Sequence, residues 1–138
     1  MSAEHTIEFR VRYDEADPMG VVHHSRYLSY FEMGRVELMR AVGLVHLAQE
    51  DRGRPLTVKT AEVRYQGPAR YDDLLRLVTR VEEARGARVV FRSRLFRAEP
   101  APPMPLAEAT IVAAAIDSSG CARPLAAEEL AAFNAEAT

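Results

Sequence analysis

The N-terminal residues alternate between apolar and polar side chains. In "HTIEFRVRY", residues 5–13, apolar residues recur at every second position from Ile7 onward, and Glu or Arg stands between them. A two-residue period places the two sets of side chains on opposite faces of a strand. The pattern therefore predicts a half-buried β-strand at the start of the chain.

The next patterned segment has the period of a helix. After "DEADPMG", residues 14–20, the spacing is four, three, four and three between Tyr27, Phe31, Gly34, Leu38 and Ala41. This spacing predicts an α-helix that ends at Gly43, and its broad apolar surface indicates burial on more than one side. Glycine inside a helix is unfavourable by about 1 kcal/mol, so Gly34 predicts close packing against a neighbouring element.

The remainder of the chain predicts mainly strands. They are expected at residues 56–66, 74–84, 87–98 and 106–117, with a hairpin turn at "EARGAR", residues 83–88, and an exposed loop at 99–105. Short helices are predicted at 45–52 and after Pro124. A strand, a buried helix and four antiparallel strands predict one α+β domain over residues 1–138, with a curved sheet wrapped around the helix.

Composition and charge exclude several classes of function. The net charge of −2 gives no basic excess, and no nucleic-acid-binding module is present. No apolar run reaches the roughly 18 residues of a membrane span, and "MSAEHTIEF" lacks the apolar segment of a signal peptide. With Cys121 as the only cysteine, no internal disulfide can form. These features predict a cytoplasmic protein that binds neither nucleic acid nor membrane.

The segment between the first strand and the helix contains the candidate chemistry. Pro18 favours extended backbone at Asp17, and Gly20 can adopt a positive φ. A sharp turn would deliver Val22 and His24 to the helix start, where backbone N–H groups have no intrahelical acceptor. Such donors can hold a polarised carbonyl oxygen while a carboxylate attacks the carbon or deprotonates a water. The segment therefore predicts hydrolysis. No metal-ligand spacing or nucleotide-binding motif accompanies it, so no metal and no cofactor are expected.

The order of residues in this segment resembles a known family. It reads "Tyr-Asp-x-x-Asp-x-x-Gly-Val-Val-x-His" at 13–24 and "Tyr-Leu-x-x-Phe-Glu-x-x-Arg" at 27–35. This pattern resembles the acyl-CoA thioesterases of the hotdog fold, in the 4-hydroxybenzoyl-CoA thioesterase and YbgC-like group, and continues loosely through residues 63–81. The resemblance implies a hotdog fold, in which a curved antiparallel sheet wraps around a long central helix.

The resemblance also implies roles for individual residues. Asp17 occupies the position of the family's catalytic carboxylate, and His24 that of its histidine at the helix start, whose backbone N–H would bind the thioester oxygen. Residues that shape this site are Tyr13, Gly20 and Val22. His23 differs from the aromatic residue common before that histidine.

Other polar residues have both a functional and a structural explanation. Arg recognises the phosphates of CoA well, and the candidates are Arg70, Arg85 and Arg88, for which surface solvation is the alternative. Glu32 and Arg35, three positions apart, predict an ion pair within the helix. Tyr13 is expected to end the first strand and pack, and Asp14 and Glu15 to be solvated loop acids.

The predicted function is hydrolysis of an acyl-CoA to the free acid and CoA. Asp17 would act as nucleophile or as general base, and the sequence leaves both open. A hotdog enoyl-CoA hydratase or dehydratase and a non-catalytic acyl-CoA-binding module are the alternatives. The sequence specifies neither the acyl group nor the choice between CoA and an acyl carrier protein. The free edge of a small sheet, together with the resemblance, implies a homo-oligomer, either a dimer or a tetramer.

Overall fold

The strands and helices follow the predicted order along the chain. The computed structural model describes residues 2–48 and 56–135. Their elements are β1 (Glu4–Arg10), α1 (Arg26–Ala41), β2 (Leu56–Tyr65), β3 (Leu74–Arg85), β4 (Arg88–Arg97), β5 (Met104–Ala115) and α2 (Ala127–Phe133). Short 3-10 turns occur at Tyr13–Glu15 and Val45–Ala48. The rest of the helical segment predicted at 45–52 lies outside the described residues.

The strands form one antiparallel sheet with α1 on its inner face. The order across the sheet is β1-β3-β4-β5-β2, so the first two strands lie at opposite edges. The chain therefore crosses the sheet between them, and α1, which lies in this connection, packs on β1, β3 and β4. The core is the space between α1 and the inner sheet face, where Phe31, Leu38, Leu77 and Phe91 are fully buried. This is the predicted α+β arrangement.

α1 approaches the sheet most closely at Gly34. A Cβ atom at this position would lie 2.5 Å from Thr79 Oγ1 and 2.7 Å from Leu77 Cδ2, both on β3. Such distances are well inside van der Waals contact, so any larger residue would push the helix away from β3. The prediction of close packing at Gly34 is confirmed, and the missing side chain sets the depth of α1 on the sheet.

The C-terminal helix α2 is anchored by the buried carboxylate of Glu129, which is 2% exposed. Its Oε1 accepts hydrogen bonds from Arg123 Nη1 (3.1 Å) and the Ala126 N–H (2.8 Å), and its Oε2 lies 2.9 Å from His46 Nε2. Burial alone would raise the pKa of Glu129, but these hydrogen bonds outweigh burial and lower it to about 2. The ionised group therefore joins α2 to the segment after α1.

We expect Glu129 to account for part of the acid sensitivity of the fold. A carboxyl group whose pKa falls from 4.5 to about 2 on folding contributes stability above pH 4.5 and loses it as the pH drops to about 2. Between about pH 5 and pH 2, the free energy of unfolding should therefore fall by about 3 kcal/mol more in the wild type than in Glu129→Gln. Denaturant titrations at each pH measure this difference. Parallel pH profiles for the two proteins would contradict the prediction.

Candidate active site

Residues 16–22 form a tight turn around the carboxylate of Asp17. The Asp17 N–H donates to the Val21 carbonyl and the Gly20 N–H donates to the Asp17 carbonyl, each at 2.8 Å. Asp17 Oδ1 accepts from the N–H groups of Met19 (2.9 Å) and Val21 (3.3 Å). Gly20 has a φ of +80°, which residues with a Cβ atom rarely adopt. The predicted sharp turn is confirmed.

The second carboxylate oxygen of Asp17 is available for chemistry. Both hydrogen bonds to the Asp17 side chain use Oδ1, and within the described part of the chain none reaches Oδ2. The side chain is half-buried. The turn therefore fixes the orientation of the carboxylate through one oxygen and leaves the other to meet a carbonyl carbon or a water molecule.

The turn is held in place by the loop between β2 and β3. Two backbone hydrogen bonds join the turn to this loop, Val22 N–H to Ala69 O (2.8 Å) and Tyr71 N–H to Gly20 O (3.3 Å). Two more join the loop to Val11, before the turn: Val11 N–H to Asp73 O (3.0 Å) and Asp72 N–H to Val11 O (3.1 Å). Arg70 lies in this loop, where its backbone forms a bridge with Val21. The structure thus places Arg70 beside the turn that carries Asp17.

The start of α1 presents free backbone donors. Of the N–H groups from Asp17 to Tyr27, those of His23 and His24 have no acceptor among the residues that the structure describes. Their carbonyls accept from the first helical residues, Arg26 and Tyr27, and Ser25 at the N-cap gives no side-chain cap. The His24 N–H therefore remains open to a substrate oxygen at the positive end of the helix dipole.

The two histidines at the helix start stack on each other. Their ring centroids lie 4.1 Å apart. The Ser25 N–H donates to His23 Nδ1 at 3.2 Å, and Ser25 Oγ lies 2.8 Å from the same nitrogen. Because Nδ1 of His23 accepts from the backbone, the proton of its neutral ring resides on Nε2. His23 is thus fixed in its orientation and supports the ring of His24.

Tyr65, at the end of β2, supports the start of α1. It was not assigned a role from the sequence. Its hydroxyl donates to the His24 carbonyl at 3.1 Å, and its ring packs edge-on against Tyr27 at a centroid distance of 5.2 Å. The Tyr27 hydroxyl in turn accepts from the Ala69 N–H at 3.0 Å, and burial raises its pKa. The tyrosine pair therefore links the helix start to β2 and to the loop after it. An aromatic residue at the end of an edge strand was the only sequence signal for Tyr65.

Two expectations about the acidic segment before Asp17 are wrong. Tyr13 lies in a 3-10 turn and is 82% exposed, so it neither ends β1 nor packs in the core. Glu15 is not a solvated loop acid: its Oε1 accepts from the Arg12 N–H (2.8 Å) and the Tyr30 hydroxyl (3.0 Å). Burial, together with this carboxylate, raises the pKa of Tyr30. Asp14 is exposed, as expected.

The predicted ion pair between Glu32 and Arg35 is not formed. Arg35 is only 9% exposed, yet it makes no salt bridge and no hydrogen bond within residues 2–48 and 56–135. Glu32 is exposed on the same flank of α1. The spacing of the two residues is that of helical neighbours, and Glu32 attracts the guanidinium electrostatically, but the packing of α1 buries the arginine without a salt bridge to the acid.

Arg85 and Arg88 lie far from Asp17 within one protomer. Asp17 follows the end of β1 that pairs with Leu74, whereas the two arginines flank the hairpin at the other end of β3. Eleven residues of strand separate these ends, or about 36 Å at the usual rise per residue. The structure therefore brings Arg70 to the site and leaves Arg85 and Arg88 at the opposite end of the same sheet.

No group of three His, Cys, Asp or Glu side chains in the described residues is arranged to hold a metal ion. Neither helix of this part of the chain has the length and apolarity needed to cross a membrane.

Comparisons with known proteins identify the family. A sequence model of the Thioesterase-like superfamily matches residues 11–133. The acyl-CoA thioesterase YbgC of Haemophilus influenzae is 37% identical over 109 residues, which cover 78% of this chain and 77% of that protein. A probable thioesterase from Bartonella henselae has a solved structure that is 31% identical, with a TM-score of 0.77 over 90% of this chain and 99% of that one.

The chain belongs to the thioesterase-like superfamily. Its fold also matches that of 4-hydroxybenzoyl CoA thioesterase, with a TM-score of 0.86 over 96% of this chain and 100% of that one, at 18% identity. The predicted hotdog fold, with an antiparallel sheet around a central helix, is confirmed. The helix itself has 16 residues.

We expect Tyr65→Phe to slow thioester turnover without unfolding the protein. The change keeps the ring but removes the hydrogen bond to the His24 carbonyl, which loosens the turn that presents the His24 N–H. The loss of one such bond, worth about 1 kcal/mol, predicts a fall in kcat of about fivefold, with KM nearly unchanged and Tm lowered by about 4 °C. Tyr71→Phe is the control, because the Tyr71 hydroxyl is exposed and makes no hydrogen bond to a described residue. Equal kcat values in the two variants would contradict the role of Tyr65.

Proposed function

We propose that this protein hydrolyses acyl-CoA thioesters to free carboxylic acids and CoA. The observation that carries this proposal is the combination of Asp17, whose Oδ2 accepts no hydrogen bond from the described residues, with the His24 N–H at the helix start, which finds no acceptor among them. The relatives named acyl-CoA thioesterase or thioester hydrolase, at 34–37% identity, support the same activity. The enzyme acts as a single domain over residues 1–138 in the cytoplasm, without a metal or redox cofactor.

The helix start acts as the oxyanion site in this proposal. The carbonyl oxygen of the thioester accepts a hydrogen bond from the His24 N–H, where the helix dipole adds positive potential. Attack on the carbonyl carbon moves an electron pair onto this oxygen, and the same donor then stabilises the resulting negative charge. Gly20 and Val22 shape the site through the backbone of the turn, and the exposed Tyr13 borders it.

Asp17 supplies the attack by one of two routes. In the first, Oδ2 bonds to the carbonyl carbon, expels the CoA thiolate and forms a mixed anhydride that water hydrolyses. In the second, Oδ2 takes a proton from a water molecule, and the water oxygen attacks the same carbon before the thiolate leaves. The thiolate takes up a proton in both routes, and the imidazole of His24 at the site either delivers it or orients the thioester.

We further propose that the active form is a homodimer, or a tetramer of two such dimers. Among the described strands β2 lies at the edge of the sheet and pairs with β5 alone, so its other edge offers backbone groups for strand addition. A two-fold axis at this edge joins β2 of each copy in antiparallel fashion. One continuous sheet results, with the α1 helices of both copies on the same face.

This arrangement gives Arg85 and Arg88 a route to the substrate. An antiparallel join places the hairpin end of one sheet beside the Asp17 end of the other. The partner subunit's Arg85 and Arg88 would then lie at the same end as Asp17, on the far side of the join, where the extended CoA molecule can reach them. Arg70 of the first subunit contacts the CoA nearer to the thioester. The phosphates supply the charge that such guanidinium groups recognise.

The loop between β5 and α2 contains a turn that matches the Asp17 turn. Asp117 N–H donates to the Cys121 carbonyl (2.8 Å) and Gly120 N–H to the Asp117 carbonyl (3.0 Å). Asp117 Oδ1 accepts from the N–H groups of Ser119 (2.9 Å) and Cys121 (3.1 Å). Asp117 therefore has the structural role of Asp17 in its turn, but this turn lies between β5 and α2 and does not lead into α1.

We expect Asp17→Asn to abolish most of the activity while leaving the fold intact. Asparagine keeps the oxygen that accepts the two backbone hydrogen bonds, but it lacks the charge needed for attack or base catalysis. The predicted fall in kcat is at least about a hundredfold, measured on a panel of acyl-CoA thioesters with a thiol reagent.

Asp117→Asn and Asp14→Asn are the controls for this experiment. Asp117→Asn makes the same chemical change in the same kind of turn, and Asp14→Asn makes it in the exposed loop beside the site. Both should retain most of the turnover. Near-wild-type turnover in Asp17→Asn, or an equal loss in Asp117→Asn, would refute the assignment of Asp17.

We expect Arg88→Ala to weaken binding of CoA and not of the acyl group. Loss of a charged hydrogen bond to phosphate predicts an increase in KM of about tenfold for an acyl-CoA with kcat maintained. The same acyl group on pantetheine, which lacks the phosphates, provides the matched control, and its KM should not change. If KM for acyl-CoA stays constant in both Arg88→Ala and Arg85→Ala, the hairpin does not bind the CoA.

A further inference from the structure

Arg35 is a largely buried charge whose nearest acid on the helix, Glu32, attracts it without forming a salt bridge. It is 9% exposed and forms neither a salt bridge nor a hydrogen bond with the described residues. Burial lowers its pKa, but an arginine in a protein stays protonated. Burying an unpaired charge is strongly unfavourable, so buried charges are normally paired or hydrogen-bonded. Among the residues that the structure describes, no group therefore pairs with Arg35 at hydrogen-bond distance.

Arg35 lines an open groove on the flank of α1. The groove has a volume of about 240 Å³ and lies between α1 and the edge strand β2. Ser29, Glu32 and Arg35 supply the polar side chains from the helix, and Val58 and Ala61 form the wall on β2. Leu28 and Val58 are 45% and 46% exposed, so the groove is bordered by apolar surface that the protomer leaves uncovered. Both features indicate that another molecule covers this flank.

The position of the groove favours a second copy of this chain as that molecule. The groove lies beside the free edge of β2, which is the edge of the proposed dimer. A two-fold axis perpendicular to the sheet keeps both α1 helices on one face, so the flank bearing Glu32 and Arg35 faces the same flank of the partner across the join. The two residues are separated by about 4.5 Å along the helix axis. Helices related by a two-fold axis can therefore place acid against base at two equivalent points.

We propose that Arg35 of each chain pairs with Glu32 of the partner subunit across the dimer axis. This inference rests on the proposed dimer and adds the contact that specifies it. Each flank contributes one acid and one base, which makes it self-complementary. A carboxylate on the acyl group is a weaker candidate for the partner of Arg35, because the negative charge of Glu32 in the same groove would repel it.

Charge reversal with mixing tests the reciprocal pair. Glu32→Arg places two positive groups against each other at both contact points, and Arg35→Glu does the same with two negative groups. Each variant alone should dimerise about a hundredfold more weakly than the wild type in sedimentation velocity. An equimolar mixture of the two variants should recover strong association as a heterodimer, because both contact points then join opposite charges. Pairing within one chain cannot produce this recovery.

Controls separate this inference from the dimer itself. Glu37→Arg makes the same charge change on another flank of α1, outside the groove, and should leave association unaffected. If Arg35→Glu does not fold, Glu32→Arg still decides the matter, because Glu32 is exposed in the protomer. A 15.4 kDa wild-type monomer would refute the dimer and the pair together. A wild-type dimer that Glu32→Arg does not weaken, or variants that mixing does not restore, would refute the pair alone. The Asp17 assignment is tested separately by turnover.

Discussion

The absence of a side chain at Gly34 sets the position of α1 and, with it, the rest of the site. At this point the helix lies so close to β3 that a single added carbon would collide with Thr79 and Leu77. The close approach buries Phe31 and Leu38 fully, and it draws the neighbouring Arg35 below the surface. It also fixes where the helix begins, because a rigid helix held at its centre has its ends defined. The His24 N–H is thus positioned by a packing contact about ten residues away.

Two turns of nearly identical structure show that the local sequence of the Asp17 turn does not by itself produce the candidate active site. Asp17 and Asp117 each begin an Asp-x-x-Gly turn and cap it with the same backbone hydrogen bonds. What distinguishes Asp17 is its surroundings: the helix that follows its turn is α1, which packs in the core, and the loop after β2 is hydrogen-bonded to the turn. The chemistry therefore comes from long-range packing imposed on a common structural unit.

The same distinction explains which features could be predicted from the sequence. The strands, α1 and the Asp17 turn follow from local periodicity and from Pro18 and Gly20, so their prediction needed no knowledge of the fold. Glu15 and Tyr65 act through contacts with Tyr30 and His24, which are 15 and 41 positions away. No local pattern contains such contacts. Glu32 and Arg35 do have the spacing of helical neighbours. This spacing does not predict which side of the helix packs against the sheet.

The strand order also has a consequence for the chain as it is synthesised. β2 emerges early, yet its strand neighbour within the chain is β5, which is complete only about 50 residues later. At the usual rate of protein synthesis, this interval lasts roughly 2 to 10 seconds, and both edges of β2 are without a neighbour throughout it. A strand with unpaired edges can pair with a strand of another chain while synthesis is still in progress. Lys59, Glu62 and Arg64 place charged side chains along β2. These charges disfavour pairing of β2 with strands of other chains during this interval.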